Sequence, residues 1–379
     1  YRPSGTLNAR VGRWIFNGFA SGGFRSKGDS EMTIERAYAQ ETGHYFRSES
    51  YMRQKPRSGI GRIGAIFEPD SRNSLGAELE ITSRKMKMPS MAETVMKEDG
   101  ITINGTSDYR QRESDRNISA TFNYVYHLDT LGSVLKLITD YTDKKVTGNN
   151  LYHSLFEVRE DWDAGTSNVA TGKQEYISGL YNSLPVTVTD SLYRSNTSSR
   201  YKVFTADLSL SKQLRQGMTF SAGARYTHND MSDTVRYESS YLSEWSPVNE
   251  YNFLLDYMED IGAVYGTFMV NKRGLSLSAG LRGEYTHVTG KGDKLRRSYF
   301  DLFPNANISY SFNAMRTFML IGQYSRSIQR PIFWHLNPNR LQYSDYSYLV
   351  GISNLRRSLI NWFTVQAAPL LHTNYPPRP

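Results

Sequence analysis

The sequence predicts an all-β protein, an antiparallel transmembrane β-barrel with short periplasmic turns and long extracellular loops. Three observations carry this. Apolar and polar residues alternate with a period of two over long runs. The runs reach about ten to fourteen residues, against about five or six for a globular strand and ~9–11 for a tilted strand that crosses a bilayer. The connections alternate short and long, which a barrel in a membrane requires and a sandwich does not.

The alternation is clearest in the middle of the chain. Met218, Phe220, Ala222, Ala224 and Tyr226 alternate with Thr219, Ser221, Gly223, Arg225 and Thr227. Phe204, Ala206, Leu208 and Leu210 alternate with Thr205, Asp207, Ser209 and Ser211, and Ile118, Ala120, Phe122, Tyr124 and Tyr126 face away from Ser119, Thr121 and Asn123. Leu275, Leu277, Ala279, Leu281 and Tyr285 oppose Ser276, Ser278, Gly280, Arg282 and Glu284. Read along the chain, strands are predicted at 6–19, 30–40, 44–53, 59–68, 74–87, 115–127, 133–144, 200–212, 218–229, 257–271, 275–288, 301–312 and 317–328. Tight turns fall at 69–73, 129–132, 214–217, 272–274 and 313–316, and long loops at 88–113, 145–199, 230–256, 289–298 and beyond 328.

Composition agrees with a surface that meets two solvents. Aromatic residues make up 13% of the chain, and 27 of them are tyrosine, against 17 Phe and 5 Trp. Tyrosine joins an apolar ring to a wet hydroxyl. The mean hydropathy of −0.56 and the lack of any window near ~18 apolar residues exclude a membrane-spanning helix. With no cysteine, a disulfide framework, thiol catalysis and cysteine-zinc sites are excluded. The net charge of +8 would suit nucleic acid, but the basic residues are scattered with no run of five, so they read as charges spread over loops and turns and no nucleic-acid partner is expected.

Motifs for chemistry are scarce. Gly59, Gly61 and Gly64 spell G-x-G-x-x-G, but a strand follows where a dinucleotide site needs a helix N-terminus. The seven histidines (His44, His127, His153, His228, His287, His335, His372) have no ligand-pair spacing, and no G-x-S-x-G elbow is present. No catalytic residue, metal ligand or cofactor is therefore expected, and the chain does not read as an enzyme. Two loop clusters could contact a ligand: Glu157, Glu160, Asp161 and Asp163 around Trp162, and Tyr237, Tyr241 and Trp245. Both read equally as solvated or interfacial residues.

The stretches SYFDLFPNANISYSF (298–312) and YSRSIQRPIFWHLNP (324–338) resemble the signature of TonB-dependent receptors of the Bacteroidetes outer-membrane β-barrel type. There a strand ends in Tyr-Ser-Arg, followed by Arg-Pro and Leu-Asn-Pro. The preceding strands carry similar marks. Tyr257-x-Glu259-x-Ile261 stands in DYMEDIGAVYGTF, and Gly280-Leu281-Arg282-x-Glu284 in LSAGLRGEYT. The signature positions are Arg326, Arg330, Pro331, Trp334, Asn337 and Pro338. Their expected role is structural: Pro331 ends the strand because it cannot donate to the ladder, Trp334 anchors the loop at the interface, and Asn337-Pro338 turns it.

The resemblance implies a bacterial outer-membrane location and active uptake of an iron chelate, cobalamin or oligosaccharide. Its implied partners are the TonB complex, acting through a plug domain, and outer-membrane lipid. Substrate-binding residues are not assigned by it. No plug segment is seen in this sequence. Against the 22-strand barrel of that family the chain falls short, so an incomplete barrel of about 12–16 strands is expected at 1–355, with 356–379 a divergent or disordered tail. A plug-less porin, an outer-membrane enzyme and a soluble secreted β-rich binding protein or adhesin are the alternatives.

Overall fold

The computed structural model describes residues 2–24, 28–37, 45–98, 101–160, 187–241, 244–291, 296–312, 318–331, 336, 340–344, 347–352 and 355–369. Its strands are β1 (Ser4–Val11), β2 (Trp14–Phe24), β3 (Gly28–Ala37), β4 (Tyr45–Phe67), β5 (Asn73–Glu98), β6 (Ile101–His127), β7 (Val134–Glu160), β8 (Thr187–Arg215) and β9 (Met218–Tyr241). There follow β10 (Glu244–Pro247), β11 (Phe253–Lys272), β12 (Leu275–Lys291), β13 (Arg296–Ser311), β14 (Phe318–Gln329), β15 (Arg340–Ser344), β16 (Ser347–Val350) and β17 (Ser358–Pro369). One antiparallel sheet runs β1-β2-β4-β5-β6-β7-β8-β9-β11-β12-β13-β14-β17, with β3 on β4 and β10 on β9. It holds 15 strands, and β15 and β16 form a separate pair. Among the described residues the path ends at β1 and β17, which do not pair with each other. The described wall is all-β and antiparallel, as the alternation predicts, and its sheet is not closed, as the comparison of strand number leads one to expect.

The strands are longer than expected, and three corrections follow. The segments 44–53 and 59–68 are one strand, β4, of 23 residues. The segment 6–19 is a hairpin, with the tight turn at Gly12 (φ 60°) between β1 and β2. The supposed loops at 88–113, 145–199 and 230–256 are for the most part strand, because β5 and β6 pair as far as Glu98↔Ile101 and β7 and β8 as far as Val158↔Thr187. Beyond the bilayer these hairpins face water on both sides, so the apolar period that marks a strand fades while the backbone ladder continues. β17 lies within the stretch 356–379 that reads as a tail: Ile360 and Trp362 on one face and Leu359, Phe363 and Val365 on the other hide its period of two.

Turn chemistry sets the register at the short ends. Lys272 pairs with Leu275 across a two-residue turn, Arg273-Gly274, with φ 46° and 84°. Positive φ at both positions is the twist that suits antiparallel strands. Asp70 accepts the N–H groups of Arg72 (2.7 Å) and Asn73 (2.9 Å), which holds its carboxyl below the usual range. Such a local Asx turn closes the β4–β5 connection without a long loop.

The two faces are chemically distinct. Ile63, Leu79, Phe122, Phe204, Leu208, Leu281 and Phe300 stand exposed on one of them. This face carries a band about ten residues tall above the turns, near the ~25 Å apolar height of an outer-membrane barrel. Trp14 stacks on Phe67 at 4.5 Å near the turns, and Phe312 tilts against Phe318 at 5.3 Å. At the far edge of the band stand Tyr141, Phe204, Tyr226 and Tyr285. These aromatic rows are the two girdles such a band requires. The inner face carries Ser, Thr, Asn and acidic residues, among them Glu259, Glu284 and Asp301.

Candidate functional site on the inner face

Pro304 shapes the site. β12 and β13 pair along 15 positions, but β13 meets β14 only from Asn305↔Ser325 to Ser311↔Met319. The ladder stops beside the one residue that has no N–H to give. Above it β14 continues on β17 instead, as far as Gln329↔Ser358. Arginines bridge the resulting split between β13 and β14.

Arg330, the first residue after β14, turns inward. Its Nη2 donates to Glu284 Oε2 at 2.6 Å and to Thr286 Oγ1 at 3.2 Å, and its Nε to the Tyr299 hydroxyl at 3.3 Å. Glu259 lies 3.8 Å away. Glu284 also accepts from Arg282 at 2.6 Å, and Glu259 from Asn229 at 3.0 Å. Arg357, on the way into β17, grips Asp301 with two bonds of 2.6 and 2.8 Å and lies 4.0 Å over the Tyr299 ring. The segment between β14 and β17 thus leaves and returns through two arginines fixed to carboxylates. Within it, Leu336 is buried against Leu255, Tyr257 and Val288. Burial pushes the Tyr257 phenol up from its ordinary value.

The convergence is informative. Tyr257, Glu259, Arg282, Glu284 and Arg330 stand in three separate motif stretches, and the register brings them together. Of the other signature positions, Arg326 donates to Asn361 Oδ1 on β17 at 3.1 Å, shared with the Tyr324 hydroxyl at 3.1 Å. Pro331 follows the end of β14. Trp334, Asn337 and Pro338 lie outside the described residues. Asp301 lies within the SYFDLFPNANISYSF stretch on β13, whereas its partner Arg357 stands outside every quoted stretch.

The ligand-loop candidates disperse. Glu157 ends up on β7, while Asp161, Trp162 and Asp163 and the side chains of Glu160 and Tyr241 lie outside the described residues. Tyr237 is buried and meets Tyr251 edge-on at 5.7 Å. Trp245 lies under the Arg194 guanidinium at 4.3 Å. The glycines of 59–64 sit within β4. Among the described residues no three His, Cys, Asp or Glu side chains are placed to hold a metal ion.

The outer halves of the inner face carry a ladder that the sequence did not single out. Tyr109, Tyr152 and Tyr193 are direct cross-strand partners on β6, β7 and β8. On the same face, Asp233 of β9 is only 1% exposed. Ser199 Oγ donates to one of its oxygens at 2.6 Å, and the other has no partner among the described residues. Burial raises this carboxyl above its ordinary value, against the lowering pull of Ser199. A raised folded-state value means the fold holds a proton that the unfolded chain releases, so stability falls as pH rises through that window. Asp233→Asn should therefore raise the unfolding midpoint at pH 8 and leave it unchanged near pH 3. Guanidinium titrations at the two pH values check this. Equal midpoints at pH 8 would mean the carboxylate is stabilised as an anion.

Residues 161–368, more than half of the chain, match the family described as outer membrane protein beta-barrel family. No curated protein matches the sequence. Similar solved structures include the translocator domain of the autotransporter NalP from Neisseria meningitidis, at 10% identity over 82% of this chain and 81% of that one, with a TM-score of 0.28. The Ralstonia pickettii toluene transporter TbuX follows at 11% identity, 97% and 80% coverage and a TM-score of 0.31. An outer membrane channel from Pseudomonas putida F1 gives 13%, 95% and 97%, and 0.26.

Proposed function

Since this chain belongs to the outer membrane protein β-barrel family, and so resides in the bacterial outer membrane, we propose that it forms the barrel part of a TonB-dependent receptor for active uptake of a scarce nutrient. The cargo is an iron chelate, cobalamin or an oligosaccharide. The chain performs no covalent chemistry and needs no cofactor. The observation that carries this reading is the inward anchoring of the segment after β14. Arg330 and Arg357 tie it to the inner wall, and Leu336 packs on that wall. A segment held inside suits a receptor that must exclude solvent until cargo and energy are both present. The wall would surround a plug domain, and the TonB complex of the inner membrane would act through that plug.

The test is uptake by cells that express the parent receptor. Labelled ferric citrate, cobalamin and a maltooligosaccharide are offered in turn. The proposal expects accumulation of one of them to collapse when a proton uncoupler is added or TonB is deleted. Accumulation that proceeds equally without TonB would replace it with a passive channel. Product formation from an externally added ester or peptide, without uptake, would point to an enzyme.

A further inference from the structure

The basic residues that look scattered in the sequence gather on the outward face of β4 to β8. Arg116, Lys145 and Arg200 are direct cross-strand neighbours on β6, β7 and β8. Lys55, Lys87 and Arg112 form a second such row on β4, β5 and β6, and Arg57 faces Lys85 between them. All eight side chains are exposed. Direct neighbours in an antiparallel pair have Cβ atoms ~4.5–5.5 Å apart, and like charges there repel.

Counter-charge is nearly absent within the patch. Arg200 pairs with Asp143 at 2.6 Å, but among the described residues none of the other seven makes an ion pair. Farther from the turns the pattern changes. Arg53 has Asp29 at 3.1 Å, Arg110 has Asp108 at 3.2 Å, and Arg194 has Glu238. The sheet therefore supplies acids to its outward arginines in the outer hairpins and withholds them from one belt.

The height of that belt identifies its partner. The first row of the belt, Arg116-Lys145-Arg200, lies two rows beyond Ile63, Leu79, Ala120, Tyr141 and Phe204, and directly beyond the row of Ile81 and Ile118 that ends the apolar face. Lys145 stands 11 positions beyond the first residue of β7. At ~3.4 Å per residue and a tilt of ~40° that is about 29 Å, just past a ~25 Å apolar band. This is the depth of the outer headgroups. We infer that the face of β4 to β8 binds a phosphorylated outer-leaflet glycolipid, with its phosphates between the two cationic rows and its acyl chains along the apolar band below.

The experiment uses the full chain, folded in detergent and given mixed micelles of bisphosphorylated lipid A, with wild type compared to Lys85→Gln/Lys87→Gln/Arg116→Gln/Lys145→Gln. Retained lipid is counted after gel filtration. Each cation near an anionic lipid surface contributes roughly fivefold in affinity, so at least a tenfold loss of retained lipid is expected for the quadruple variant. Heat-modifiable migration confirms that the variant is folded. If it is not, Lys145→Gln alone should lower retention several-fold. Wild type without lipid should also gain thermal stability with added salt, and the quadruple variant should not. Three outcomes overturn the inference: equal retention by the variants, equal retention of dephosphorylated lipid, or full displacement by millimolar inorganic phosphate. The last would make the patch a site for free anions.

Discussion

Leu281→Arg should destabilise the folded wall by about 2–4 kcal/mol, the effect of an arginine on the lipid face near the bilayer midplane. Leu281 is half exposed on β12, and its position seven residues beyond Gly274 puts it near the middle of the apolar band. Its cross-strand neighbours are Gly266 and Pro304, neither of which has a side-chain acceptor to offer a guanidinium group. The nearest carboxylate of β12, Glu284, lies on the other face. Ser278→Arg, three residues away on the inner face, should change stability by less than about 1 kcal/mol because its side chain reaches water in the lumen. Guanidinium titrations of the chain in lipid vesicles, followed by heat-modifiable migration, would show the two midpoints. A larger loss from Ser278→Arg would mean that the faces are assigned the wrong way round, and equal losses that only one environment flanks the strand.

That assignment was legible because a strand in lipid must alternate. Met218 to Tyr226 and Leu275 to Tyr285 show the period without help from any neighbour. Where both faces meet water, or both are apolar, the signal vanishes. The hairpin ends of β5 to β9 read as loops for the first reason, and β17 read as a tail for the second. The site was half legible. Glu259, Arg282, Glu284 and Arg330 each stand in a recognisable stretch, but no single stretch says that they touch. Contact depends on register, which places Ala263 opposite Glu284 and Glu284 opposite Asp301. Arg357 has no local mark at all, and Asp301, though inside a quoted stretch, has nothing beside it that points to Arg357. The cationic belt was missed for a related reason. Its members stand at most two to a strand, never adjacent, and the strands are separated by whole hairpins along the chain, so no charge run forms.

Arg357→Gln should be more damaging than Arg330→Gln, although only Arg330 belongs to the signature. The reason lies in what each substitution leaves behind. Without Arg330, Glu284 keeps its 2.6 Å bond from Arg282, and Glu259 keeps Asn229. Without Arg357, Asp301 loses the ion pair and both hydrogen bonds that the structure gives it, and its side chain is only 6% exposed. A buried charge stripped of its partner costs about 3 kcal/mol or more, whereas one that retains a second arginine costs a fraction of that. Expected losses are therefore about 3 kcal/mol for Arg357→Gln and about 1 kcal/mol for Arg330→Gln. Asp301→Asn in the Arg357→Gln background should recover most of the loss, since it removes the orphaned charge. Unfolding midpoints of the two single variants and the double variant form the cycle that decides it. A double variant no more stable than Arg357→Gln would show that the arginine acts through Tyr299, whose ring it covers, and not through the carboxylate.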